Sequence, residues 1–242
     1  MSENYNEQNT CYTDFASMNS DSYIERALGG NWQVDVDSRS GEEYMIPTNR
    51  AVGLSQVYYQ PGEKMTIQIR GPQEFKSTVQ NTLMTKVFQY VNLKFEFVEN
   101  GGDCLIDNKW ASGGVCMGSG TKNPTLHLSN SHPFLTIHEF GHALGMMHEM
   151  RNPKIDLTWI VSALQQKYAS GNINIQTQIL KPLDIDKVRA LPFDKNSVMA
   201  YPLSGKYNKE GVDIMPSQEY TDIDKEWLRL TYGDTPYNKA KE

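Results

Sequence analysis

The stretch Ile137-His138-Glu139-Phe140-Gly141-His142-Ala143-Leu144-Gly145-Met146-Met147-His148 constrains this chain more than any other. Its first two histidines are four residues apart. An α-helix turns about 100° per residue, so both imidazoles share one face, roughly 6 Å apart along the axis, and can reach one ion. Glu139 falls beside that ion, where it can accept a proton from a metal-held water without being a ligand. The opposite face is apolar, with Ile137, Phe140, Ala143 and Leu144 at the three-and-four spacing of a buried stripe. The helix is thus anchored in a core while its histidines face a cleft. Gly145 ends it, because glycine enters the left-handed C′ conformation cheaply. The turn can bring His148 back to the same ion as a third ligand.

His-Glu-x-x-His alone is a modest signal, since helices carry two histidines four apart for ordinary polar reasons. With the glycine and the third histidine at fixed offsets the stretch becomes His-Glu-x-x-His-x-x-Gly-x-x-His, and the chain resembles the metzincin superfamily at every position of that motif. A second stretch agrees. Within residues 192–202, Ser197-Val198-Met199-Ala200-Tyr201 is similar to the Ser-x-Met-x-Tyr methionine turn of astacins and serralysins. Glu149, directly after His148, is also astacin-like, whereas Met150-Arg151-Asn152-Pro153 departs from the usual astacin continuation. The chain resembles an astacin-like relative, not a typical astacin.

That resemblance implies an α+β, metzincin-type zincin fold. A twisted mixed sheet with a backing helix and the active-site helix would stand above a less regular C-terminal subdomain. It implies a catalytic domain over residues 49–242, with an upper subdomain over about 62–147 and a lower one over about 148–235. It also implies one catalytic Zn2+ held by His138, His142 and His148. Three neutral imidazoles leave zinc its full charge and an open coordination position, the layout of a catalytic and not a closed structural site. Glu139 would be the general base, and the implied activity is that of a metalloendopeptidase acting on protein or peptide. Tyr201 would be a fifth ligand at rest and would hydrogen-bond the oxyanion during the reaction; its competing reading is a buried tyrosine near a turn. Met199 would be a packing floor beneath the imidazoles, since thioether suits softer metals than zinc, and Ser197 a turn residue. In astacins the glutamate after the third histidine contacts the newly cut N-terminus. Glu149 therefore reads either that way, with trimming near residues 45–60, or as a helix-terminal glutamate. A metal-binding protein or toxin subunit without turnover, and an amidase for non-protein amides, are the competing functions. The intact Glu139 argues against the former.

At 242 residues, 38% hydrophobic and 21% charged, the chain has the size and make-up of one globular catalytic domain with a short extension. A formal charge of −6 and the lack of a basic stripe argue against nucleic acid as a partner. No apolar run approaches a membrane span, and a monomer is the default expectation. Residues 1–19 are polar, without the basic start and apolar centre of a secretory signal. Family resemblance weakly favours an extracellular location, reached by a signal-independent route or after removal of a signal; action inside a cell or particle is the alternative. Cys104 and Cys116 read equally as one bridge or two thiols, and Cys11 as a free thiol.

Residues 1–48 read as a weakly structured extension, passing Gly29-Gly30 to the alternating Trp32, Val34 and Val36. By the resemblance they could be an inhibitory prosegment offering Asp14, Asp35 or Asp37 to the zinc, although the Phe-x-Gly-Asp form of that switch is missing. Met65, Ile67 and Ile69 predict a first strand, and after Gly71-Pro72 the spacing of Phe75, Val79, Leu83, Val87 and Val91 predicts a long amphipathic helix. Leu93, Phe95 and Phe97 predict a second strand, residues 104–107 a third, and the glycine-rich residues 112–120 a surface loop. Residues 125–129 read as a short strand, which the resemblance would make the antiparallel edge strand holding substrate backbone. His127 then reads as a polar edge side chain and His132 as a boundary residue, with Asn130 or Ser131 capping the helix. Asp156 predicts the cap of a helix bearing Trp159, Ile160, Leu164 and Tyr168, while residues 171–181 are ambiguous between strand and loop. Thr221 and Asp224 have capping-box spacing ahead of Ile223, Trp227, Leu228 and Leu230, a final helix expected to pack on the lower subdomain.

Overall fold

The computed structural model describes residues 35–36, 43–44, 52–110, 113–169 and 175–235. Cys11, Asp14, Asp37, Trp32 and Val34 lie outside the described residues. A two-residue strand β1 (Asp35–Val36) pairs antiparallel with β2 (Glu43–Tyr44). The chain then enters the main body through β3 (Gly53–Leu54).

Strand β4 (Lys64–Arg70) follows, then helix α1 (Gln73–Lys86) and β5 (Lys94–Phe97). The apolar repeat expected to run through one helix to Val91 is buried along its whole length. The α-helix nevertheless stops at Lys86: Val87 leaves helical geometry at φ −123°, a single 3-10 turn covers Phe88–Tyr90, and Val91 is extended. Val87 and Tyr90, three residues apart, share the inner face of the 3-10 turn and the extended Val91 follows them inward, so burial persists where the hydrogen bonding changes.

Next come β6 (Cys104–Asp107), β7 (Gly114–Met117), β8 (Thr125–Leu128) and helix α2 (Pro133–Ala143). The main sheet has the order β5-β4-β6-β8-β7, parallel except for β7, which runs antiparallel to β8. Two expectations are corrected here. The glycine-rich stretch is not a surface loop throughout, because it contains β7, with Val115 and Cys116 buried. And β8 is not the edge strand: it is hydrogen-bonded on both sides, and β7 ends the sheet. Glycine content masked a strand whose small residue is needed for close packing against α2, as shown below.

Cys104 and Cys116 are buried and free, and β8 lies between their strands, so the thiol alternative is the one found. Burial pushes both thiols upward, which makes them poor nucleophiles. Ile67, Ile106, Leu126 and Leu128 point from the sheet into the core shared by α1 and α2.

The chain beyond α2 has little regular structure: helix α3 (Val161–Lys167), a π-turn over Gln176–Leu180, strand β9 (Val188–Arg189), which pairs with β3, and helix α4 (Asp222–Tyr232). α3 is shorter than expected. Its N-cap is Ile160 and not Asp156, because Trp159 is drawn into a bridge with Asn208. A second core of Met150, Ile155, Leu157, Leu164, Ile179, Leu180 and Leu203 supports this part.

The Thr221–Asp224 capping box opens α4 as expected. Its packing is not as expected. Trp227, Leu228 and Tyr232 join the core of the sheet and α2, and the Tyr232 hydroxyl donates to the Leu144 carbonyl at 2.7 Å. β3 passes so close that a Cβ on Gly53 would fall 1.8 Å from the Trp227 ring. Among the described residues no helix is long and apolar enough to cross a membrane.

Candidate metal centre

Helix α2 is buried on every side from Phe134 to Ala143, which suits a helix held between the sheet, α1 and the segment carrying Met199. Its N-cap is His132, whose own amide donates to Asn130 Oδ1 at 2.9 Å, so Asn130 orders the approach to the helix without capping its first amides. At the other end Leu144 is the C-cap and Gly145 adopts φ +91°. The amide of Gly145 donates to the His142 carbonyl at 2.8 Å and that of Met146 to the Gly141 carbonyl at 2.9 Å. This is the Schellman pairing, and it turns the chain back so that His148 faces the helix.

His138, His142 and His148 are all buried, and one ring nitrogen from each lies within 4.8 Å of the other two. The protonation pattern follows from their outer partners. His138 Nδ1 donates to the Val198 carbonyl at 2.7 Å, His142 Nδ1 to the Met146 carbonyl at 2.8 Å, and His148 Nδ1 to Gln178 Oε1 at 2.9 Å. A carbonyl oxygen only accepts, so each imidazole carries its proton on Nδ1 and turns an Nε2 lone pair inward. His142 Nε2 and His148 Nε2 stand 3.0 Å apart, and His138 Nε2 is buried with no hydrogen-bond partner. Facing lone pairs repel and an orphaned buried nitrogen is costly. A divalent cation that takes imidazole nitrogen, such as zinc, removes both problems.

Burial also holds the rings neutral. It lowers His138 to about 4 and His142 to about 3, the latter aided by neighbouring His138, and holds His148 well below the usual histidine range with help from His142 and His138. Neutral imidazoles are the ligating form.

The methionine turn lies beneath. Met199 packs against Gly141, where an added Cβ would fall 2.6 Å from the Met199 sulfur. Ser197 is more than a turn residue. Its hydroxyl donates to Asp224 Oδ1 at 2.6 Å and accepts the Met199 amide at 3.0 Å. Asp224 Oδ2 also accepts the Val198 amide at 3.1 Å and the Thr221 amide at 3.0 Å, so the N-terminus of α4 anchors Val198, the residue whose carbonyl holds His138. The Tyr201 hydroxyl lies 3.3 Å from Nδ1 and 3.2 Å from Nε2 of His148, over the ring. Glu149 is buried, its Oε1 accepting from Asn152 Nδ2 at 2.7 Å and from the Asp194 amide at 3.0 Å. Burial raises its carboxyl pKa well above the ordinary value.

Glu139 follows His138 on α2 and is fully buried beside β7. A Cβ on Gly114 would come 2.8 Å from Glu139 Cγ and 3.0 Å from Leu135 Cδ1, so this glycine lets the edge strand close on the helix. The other two histidines stay away from the centre. His132 caps α2, and His127 pairs through Nδ1 with the buried Asp107 at 2.7 Å and stacks on Trp110.

Three contributors were not legible beforehand. Gln178 sits in the segment that reads ambiguously as strand or loop, and nothing local marks it. Gly114 was hidden in a stretch that reads as loop. Asp224 was visible as a helix cap, but its bonds to Ser197 and Val198 cross 26 or more residues.

No family model and no curated protein matches this sequence. Solved structures do match it. A structure of myroilysin aligns over 76% of this chain and 99% of its own, with a TM-score of 0.65 and 20% identity. High choriolytic enzyme 1, a hatching enzyme zinc-protease from the medaka Oryzias latipes, aligns over 76% of this chain and 98% of its own, with a TM-score of 0.54 and 15% identity. At these identities the likeness speaks for the fold alone, and the fold is the expected α+β arrangement of a mixed sheet, a backing helix and a central helix carrying the histidine motif.

Proposed function

We propose that this chain is a zinc-dependent endopeptidase. The observation that carries the reading is the convergence of three Nε2 lone pairs, from His138, His142 and His148, each oriented by an acceptor on its Nδ1. Donor type and burial support zinc, and the shared fold with a hatching enzyme zinc-protease supports a peptide substrate. When bound, zinc polarises the scissile carbonyl and brings the pKa of its water to about 7.

The chain's own groups supply the rest. Glu139, next to His138 on the helix, takes the proton that the attacking water loses and returns it to the departing amine. The Tyr201 hydroxyl swings from its place over the His148 ring to donate to the oxyanion of the tetrahedral carbon. Met199 holds the floor and touches no reacting atom. Because β7 ends the sheet and closes on Glu139 through Gly114, it is the strand along which an extended substrate would lie, in place of β8.

The test is cleavage of casein or gelatin by the parent chain and by Glu139→Gln, each with its zinc content measured. The parent is expected to lose activity to a chelator and regain it with zinc. Glu139→Gln is expected to keep its metal and lose about 10²–10⁴-fold in rate. Stoichiometric zinc with no cleavage of any peptide by the parent would reject the proposal.

A further inference from the structure

The three imidazoles are not held alike. His138 and His142 donate to main-chain carbonyls, which can only accept. His148 donates to a side chain, the buried Gln178, which carries both an acceptor oxygen and a donor NH2. We infer that Gln178 is a positioning residue, one that fixes His148 in the tautomer and ring orientation that turn its Nε2 toward a metal. This rests on the zinc reading above, and only on its metal-binding half.

The chemistry of the amide makes the assignment consequential. With Oε1 toward the ring, His148 is protonated on Nδ1 and ligates through Nε2. With the amide turned over, its NH2 would demand an acceptor at Nδ1, and the proton would move to Nε2, where it blocks coordination. Tyr201 does not compete for the in-plane bond, because its hydroxyl is nearly equidistant from both ring nitrogens, at 3.3 and 3.2 Å, and so sits over the face.

The segment that delivers Gln178 is built to hold it. The π-turn Gln176–Leu180 is closed by the Lys181 amide donating to the Gln176 carbonyl at 2.8 Å, and Ile179 and Leu180 are buried in the lower core. The same segment is tied to the turn carrying His148. Arg151 Nε donates to the Lys181 carbonyl at 3.0 Å, and the Leu183 amide returns a bond to the Arg151 carbonyl at 2.9 Å. Both ends of the Gln178–His148 bond are therefore fixed to one unit.

The experiment compares Gln178→Leu, which has no acceptor, with Gln178→Glu, which keeps an acceptor oxygen and has no NH2. Zinc dissociation constants come from competition with a chromophoric chelator, and the His148 tautomer comes from imidazole 15N NMR of the zinc-free protein. The parent should show His148 protonated on Nδ1. Gln178→Leu should bind zinc about 10–100-fold more weakly and show mixed tautomers, while Gln178→Glu binds at least as tightly as the parent. Zinc affinity of Gln178→Leu within twofold of the parent, or equal losses in both variants, would overturn the inference. Should Gln178→Leu not fold, the parent spectrum and Gln178→Glu still decide, since a parent His148 protonated on Nε2 overturns it alone. A parent that binds zinc but cleaves nothing rejects the peptidase reading while the affinity order still decides on Gln178; a parent that binds no zinc rejects both.

Discussion

Removing the Asp224 carboxylate tests how the lower part of the fold supports the metal centre. The buried group accepts the amides of Val198 and Thr221 on Oδ2 and the Ser197 hydroxyl on Oδ1. Asp224→Ala strands the buried Val198 amide, the part-buried Thr221 amide and a hydroxyl, at about 1–3 kcal/mol each, and removes one of the two bonds of the capping box. Allowing the hydroxyl to turn elsewhere, the expected loss is about 3–6 kcal/mol, a large part of the roughly 5–15 kcal/mol that holds a typical domain together. Asp224→Asn separates hydrogen bonding from charge. Its oxygen can accept both amides while its NH2 donates to Ser197 Oγ, so both amides keep a partner and only the Ser197 hydroxyl hydrogen must turn to another acceptor. It forgoes charge-assisted bonds but escapes the cost of burying a carboxylate, a cost visible in the raised pKa of Asp224, for which burial is the leading cause. The two effects offset, and Asn should lie within about 1 kcal/mol of the parent. Urea unfolding of the zinc-stripped proteins at pH 7 measures this directly. With slopes of about 2–3 kcal/mol per molar, the Ala midpoint should fall by about 1–3 M and the Asn midpoint by under 0.5 M or so. Equal midpoints for the two variants would refute the reasoning. Because the Val198 carbonyl orients His138, Asp224→Ala protein that still folds should also bind zinc more weakly.

Further outcomes follow from the same contacts. Gly114→Ala places a Cβ 2.8 Å from Glu139 Cγ and should cut kcat at least tenfold with zinc content unchanged; undiminished kcat would show that β7 yields and not the glutamate. Gly141→Ala gains about 1 kcal/mol of helix propensity but sets a methyl 2.6 Å from the Met199 sulfur, so a net loss of about 0–2 kcal/mol and weaker zinc binding are expected by thermal melting and chelator competition. In zinc-free protein, His138 and His142 are lowered from 6.5 to about 4 and about 3, so the unfolded chain takes up their protons first. Stability should therefore be complete above about pH 6.5 and fall as pH drops toward 4 and 3, by up to about 1.4 kcal/mol per proton per pH unit, and a flat urea midpoint between pH 7 and 4 would contradict this.

Local chemistry explains which parts could be read from the chain. The helix of the histidines, the glycine turn after it and the capping box of α4 are written in residues a few positions apart, and spacing alone places them. The apolar stripe of α1 also predicts burial correctly, although not where the helix stops, because a 3-10 turn buries Tyr90 and its flanking valines equally well. Errors arise where pairing decides. Residues 125–129 read as a short strand that the family resemblance makes an edge, yet its position inside the sheet depends on a β7 partner whose Gly114 and neighbouring glycines look like loop. Trp227 and Leu228 give α4 an apolar face without saying which core receives it, and the choice is made by β3, whose Gly53 admits the indole. Gln178 lies in a π-turn, a geometry with no sequence period to recognise.

The arrangement has a consequence for how the centre is held together. Each imidazole is oriented by a different part of the chain: His138 by the methionine turn, His142 by the carbonyl of its own helix terminus, His148 by the π-turn. Only the second of these contacts is local. The first requires α4 to be in place, since Asp224 fixes the amide of Val198, and α4 is itself seated in the upper core by Trp227 and Tyr232. The third requires the lower core around Ile179 and Leu180. A single ion reached by all three rings therefore couples two hydrophobic cores that adjoin at the methionine turn, where Val198 and Met199 belong to one and Ala200 and Tyr201 to the other. Metal binding here favours the state in which both are formed, by whatever free energy separates binding to the folded chain from binding to the unfolded one.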